Sequence, residues 1–66
     1  MQRYEIISII KGMDKKKVHI SLNNRRFYNG VVLEFDEECL SFVEDKLGYI
    51  NILYSMIINV EPFVGR

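Results

Sequence analysis

The sequence has no Trp, no Ala and no Thr, and its 66 residues include one Cys, one His and one Pro. Each scarcity excludes something. One Cys cannot form an internal disulfide, and one Cys with one His cannot build a structural zinc site. Without Ala the chain lacks the best helix former. Nine basic and nine acidic residues cancel, so the excess of Lys and Arg that drives strong non-specific nucleic-acid binding is missing. No run of about 18 uncharged apolar residues exists, which excludes a membrane-spanning helix. The opening Met1-Gln2-Arg3-Tyr4-Glu5 does not read as a signal peptide, because the apolar stretch that follows is short and carries Glu5. A free thiol fits a reducing compartment, and a cytoplasmic location is the expectation.

What is present points to sheet. Ile and Val together make fifteen residues, and apolar residues reach 48%, too many for a disordered chain. One domain of this length buries only ~60% of the surface its unfolded form exposes. Burial against copies of itself is the cheap remaining source of stability.

Hydrophobic spacing orders the elements. Ile6, Ile9, Ile10 and Met13 share one helical face, which predicts a short helix over Tyr4 to Lys11, with Gly12 as a left-handed cap. The alternative is an edge strand, since an Ile-rich run has poor helix propensity. Val18, Ile20 and Leu22 alternate with polar residues and predict a strand. Asn23 to Arg26 reads as a turn, in which Asn supplies positive φ. Arg26 to Phe35 predicts a long second strand broken by Gly30, where a bend or a close backbone approach is expected. Cys39 to Glu44 follows, with Cys39 pointing inward as a small hydrophobe. Asp45 to Gly48 is a tight hairpin. Tyr49 to Tyr54 and Ile57 to Val60 complete five strands, the last ended by Pro62. Helix and strands together predict an all-β fold, a strongly bent five-stranded antiparallel small barrel with a short N-terminal helix, in one domain over residues 1–66.

At this point the residues resemble a family. Val18, Ile20 and Leu22, then Tyr28, Gly30, Val32, Phe35 and Asp36, then Glu44 and Asp45, are similar to the first signature of Sm-like (LSm) proteins. The order of helix and strands agrees with that family across nearly the whole chain. The resemblance implies a small barrel that assembles into a homo-oligomeric ring and binds single-stranded RNA. It also implies that the fourth strand of one copy pairs with the fifth of the next, with Ile50, Ile52, Ile57 and Ile58 at the subunit interface.

The second signature departs from the family. Leu53, Tyr54, Ser55 and Met56 stand where relatives carry an Arg-Gly pair or, in the bacterial branch, a Lys-His pair. Uridine-binding members carry His and Asn two and four residues beyond the conserved Asp; here those places hold Glu38 and Leu40. If the two turns still face RNA, the residues present predict base stacking on Tyr54, contacts from the turn of Asp36, Glu37, Glu38 and Leu40 and from Ser55 and Met56, and phosphate contacts from Lys15, Lys16, Lys17, Arg25 or Arg26. A repeated pair of Glu around a pore would repel phosphate. The alternative is a ring that has lost the uridine pocket and binds protein.

The bland readings weigh against other sites. The Lys run and the Arg pair are first a solvated charged turn. The acidic stretch from Glu34 to Glu38 lacks the spacing of a calcium loop. His19 stands alone on the polar face of its strand, and Cys39 has no visible base beside it. No metal, no cofactor and no enzymatic activity are expected. Phe27, Val31 and Leu33 make the second strand apolar on both faces, which predicts that something covers both.

Overall fold

The computed structural model describes residues 1–13 and 17–64. Helix α1 spans Arg3–Lys11. The Gln2 N–H donates to the Glu5 carboxylate at 3.1 Å, which satisfies a donor of the first turn. Lys11 in the last turn complements the helix dipole. The expected apolar face is the packed one: Ile6 is fully buried, while Ile9, Ile10 and Met13 lie partly buried against the core. Gly12 is not a left-handed cap. Its φ is −76°, and its N–H closes the helix on the carbonyls of Ser8 and Ile9, so the last turn needs no reversal.

Five antiparallel strands follow: β1 Val18–Leu22, β2 Phe27–Phe35, β3 Cys39–Glu44, β4 Gly48–Leu53 and β5 Ile57–Pro62. They form one sheet in the order β4-β3-β2-β1-β5. A single 3-10 turn, Tyr54–Met56, carries the chain from β4 to β5 at the far side of the sheet. β4 and β5 do not pair with each other, so the ladder stays open where the sequence reading expects a closed barrel.

Two irregularities twist this sheet. The β2–β3 register shifts between Val32 and Glu34, which leaves Leu33 as an extra residue. The β1–β5 register shifts as Ser21 pairs with Asn59 and Leu22 with Ile57, which leaves Ile58 unmatched. Each extra residue bends its strand and increases the local twist.

Gly30 works by close approach. A Cβ there would collide with the backbone carbonyl of Val43 and lie 2.9 Å from Phe42 Cε2. The strands therefore meet more tightly here than any side chain allows. Positive φ is used elsewhere. Gly48 has φ 78° at the end of the β3–β4 hairpin, as its position predicts, and Arg25 has φ 68° in the β1–β2 turn. Neither Asn takes that role. Asn24 instead accepts the Arg26 N–H on its side chain at 3.0 Å.

The core is built from Val18, Ile20 and Leu22 of β1, Leu40 and Phe42 of β3, Ile52, Ile57 and Val60, with Ile6 laid over them. Tyr28, Val32 and Phe35 pack partly buried against it. Cys39 is half-buried, and Leu40 and Phe42 take the inward positions of β3. The expected facing of Cys39 is thereby corrected. The inward row of β3 belongs to the larger side chains, whose burial removes more apolar area from water.

The β3–β4 turn is organised by a buried acid. Glu44 accepts the backbone N–H of Lys46 at 2.8 Å, of Leu47 at 3.0 Å and of Asn29 at 3.2 Å. Those hydrogen bonds hold its carboxyl below the usual value for a carboxylic acid, with the Lys46 and Leu47 amides contributing most. Among the described residues, no helix is long and apolar enough to cross a membrane.

Candidate nucleic-acid interface

The β2–β3 turn, the 3-10 turn and the start of α1 meet at one end of the sheet. The Tyr54 N–H donates to the Glu38 carbonyl at 3.1 Å, and the Tyr54 hydroxyl donates to the Asp36 carbonyl at 2.6 Å. Arg3 reaches the same turn from α1, donating to the carbonyls of Asp36 at 2.8 Å and Phe35 at 3.2 Å. These bonds join the two turns that the resemblance assigns to RNA. A cleft of about 640 Å³ opens beside them, lined among others by Arg3, Glu5, Glu37, Glu38, Leu53 and Ser55.

The side chains there do not make the expected pocket. Tyr54 is only 5% exposed, and its hydroxyl is engaged. Its ring belongs to the core and offers no face for a base. Burial pushes its phenol up from the ordinary value, partly offset by Arg3. Leu40 is fully buried and cannot touch a ligand. Both corrections have one cause: these residues sit on the inward faces of their elements, and in so small a domain those faces are the core. Asp36, Glu38 and Ser55 are exposed, and Met56 is half-buried. Among the described residues the Asp36 carboxylate takes no hydrogen bond; the backbone of Asp36 does the turn-holding, through its N–H to the Cys39 carbonyl at 2.9 Å.

Of the basic residues, Lys15 and Lys16 lie outside the described residues. Lys17 forms an ion pair with Asp45 and places its ammonium 4.5 Å from the Phe63 ring centroid. Arg25 and Arg26 are exposed in the β1–β2 turn. Among the described residues, neither Lys17 nor Arg25 and Arg26 lines the cleft.

The proposed interface residues divide in the same way. Ile52 is 3% exposed and Ile57 is fully buried, so within one chain both are core. Ile58 is exposed and Ile50 half-buried. Outward apolar side chains do run along the sheet. Val31, Val43 and Tyr49 are successive cross-strand partners and all are exposed, as are Leu33 and Leu53.

The sequence reading missed three contributors. Arg3 precedes the predicted helix, and its role depends on α1 beginning at Arg3 and bringing the guanidinium to the β2–β3 turn. Glu44 caps a turn from the preceding strand, and an acid just before an Asp-Lys-Leu-Gly turn is the signal that was available. His19 was read as solitary. It pairs with Asn29 on β2, Nδ1 to Oδ1 at 2.6 Å, across the β1–β2 ladder. Among the described residues, no group of three or more His, Cys, Asp or Glu side chains is placed to hold a metal ion.

Compared with known proteins, the chain matches no family model, and no curated protein matches it significantly.

Proposed function

We propose that this chain is a Sm-like subunit that assembles with copies of itself into a ring and binds single-stranded RNA, without catalysing a reaction. The observation that carries the reading is the open sheet. Its terminal strands, β4 and β5, each have a partner strand on one side only, and at the start of β5 the Met1 ammonium donates to the Ile57 carbonyl at 2.6 Å. Exposed strand edges are templates for pairing, and proteins cover them. Here each edge has an apolar side chain on the surface beside it, Leu53 on β4 and Ile58 on β5. Joining β4 of one copy to β5 of the next satisfies both edges with one contact. A head-to-tail contact of this kind closes into a ring when its rotation permits. Two bulges and the close approach at Gly30 support a bent sheet of the kind a small barrel needs.

The order of elements and the residues Leu22, Tyr28, Gly30, Val32, Phe35 and Asp36 support the family reading. Burial of Tyr54 and Leu40 supports a second one: a ring of the same build that has lost its uridine pocket and binds protein. Fluorescence anisotropy separates them. Labelled oligo-U, oligo-A and mixed single strands are titrated at two salt concentrations, on protein of known oligomer mass. Salt-sensitive binding is expected from phosphate contacts. No binding even at low salt would remove RNA and leave the protein-interaction module.

A further inference from the structure

Another cleft lies away from the turns considered above. It has a volume of about 440 Å³ and is lined by His19, Asn29, Glu61, Pro62, Phe63 and Val64. That volume lies within the ~300–1,000 Å³ of ordinary small-molecule sites. Three adjacent strands build it, because His19 of β1 pairs with Asn29 of β2 on one side and with Glu61 of β5 on the other. Their side chains therefore stand in one row across the sheet.

Its chemistry is specific. Two flat rings line the cleft, the His19 imidazole and the Phe63 phenyl. Each has support. The His19 ring packs against Phe27 with centroids 5.1 Å apart and planes tilted by 35°, and Lys17 holds its ammonium against the Phe63 ring. The polar groups are sorted by sign of hydrogen bonding. In the His19–Asn29 pair the imidazole Nδ1–H donates to Asn29 Oδ1, which leaves the Asn29 amide N–H groups for a ligand. Glu61 adds an acceptor-only carboxylate. Planar walls, one donor group and one bidentate acceptor are complementary to a guanine edge. Guanine alone among the common bases presents two adjacent donors, N1–H and N2–H, next to the acceptor O6. Adenine, cytosine and uracil each set an acceptor beside their donor and would face Glu61 with a lone pair.

We infer that this cleft is a guanine-binding site, with the base stacked on His19 or Phe63, its N1–H and N2–H donating to Glu61, and its O6 accepting from Asn29. For guanine within RNA the inference rests on the function proposed above. It moves base stacking from the buried Tyr54 to a surface where aromatic rings are accessible. Base–aromatic stacking supplies affinity for any base, and the Glu61–Asn29 edge supplies the choice. At the rim, Lys17 touches the Phe63 ring and is ion-paired with Asp45.

The test titrates labelled U-rich single strands that carry guanine, hypoxanthine or adenine at one central position. Guanine is expected to raise affinity about tenfold over adenine. Hypoxanthine lacks the N2 amino group and should lose most of that advantage. Glu61→Gln should erase the guanine preference, because the amide can donate to the acceptors of the other bases as the carboxylate cannot. Glu61 is exposed, so the variant should keep the wild-type melting curve. Guanosine monophosphate is the second arm, read by amide chemical shifts at His19 and Asn29. Shifts with the nucleotide but no binding of any strand would keep the site for a free nucleotide and overturn the RNA function. Strands that bind without guanine preference, or with a preference that survives Glu61→Gln, would overturn the site and leave the RNA function standing.

Discussion

Replacing Gly30 with Ala adds one methyl group at the point where β2 and β3 are closest. The new Cβ would overlap the Val43 carbonyl and press on Phe42 Cε2 at 2.9 Å. A side chain can rotate out of the way, but the Val43 carbonyl is backbone and sits in the ladder, where Val43 pairs with both Val31 and Tyr49. Relief therefore requires β2 and β3 to part. Overpacking of this kind costs about 1–3 kcal/mol. Parting also weakens ladder hydrogen bonds beside Gly30, each worth about 1 kcal/mol. A total of about 3 kcal/mol follows. In a 60–100-residue domain each kcal/mol moves the melting temperature by roughly 4–8 °C, so the variant should melt about 12–24 °C below wild type. Circular dichroism during a thermal ramp reads this directly. A melting temperature within about 2 °C of wild type would refute the close approach and with it the bend assigned to β2.

Other outcomes follow from the same structure. Acidification should destabilise the fold: the Glu44 carboxyl is lowered by its turn amides, so its contribution is complete above the ordinary carboxylate value and is lost as pH falls through the folded one. Melting temperatures from pH 7 down to about pH 3 should therefore fall, and Glu44→Gln should flatten that dependence. Tyr54→Phe removes the hydroxyl bond to the Asp36 carbonyl and should cost about 1 kcal/mol in urea unfolding, with oligonucleotide affinity unchanged. Reduced affinity at unchanged oligomer mass would return Tyr54 to the binding surface. Ile58→Asp places a charge on the exposed side of β5 and should dissociate the ring into folded monomers in light scattering. Ile57→Asp buries the charge in the core and should unfold the chain.

The elements that spacing made legible were those whose period had one physical cause. The β1 alternation of Val18, Ile20 and Leu22 reports one inward face, and the face of Ile6, Ile9 and Ile10 reports one packed helix side. Both expectations hold. The Phe27, Val31 and Leu33 row, expected to be covered, is exposed in the single chain. Errors arose where two causes compete for one residue. Tyr54 and Leu40 carry apolar bulk at positions that the resemblance gives to RNA, and in a core this small burial takes them. Ile52 and Ile57 were assigned to a subunit interface for being apolar, and the single chain already uses them. Turn conformations were the least legible, because Arg25 rather than an Asn takes positive φ when the Asn24 side chain caps the turn. The His19–Asn29–Glu61 row is invisible to linear reading, since it exists only through the registers of three strands.

The central claim is that the two open edges of this sheet pair between copies. Native mass spectrometry at micromolar concentration tests it most directly. The account predicts one closed species whose mass is a fixed multiple of the 7.8 kDa chain. A folded monomer at 7.8 kDa would contradict it.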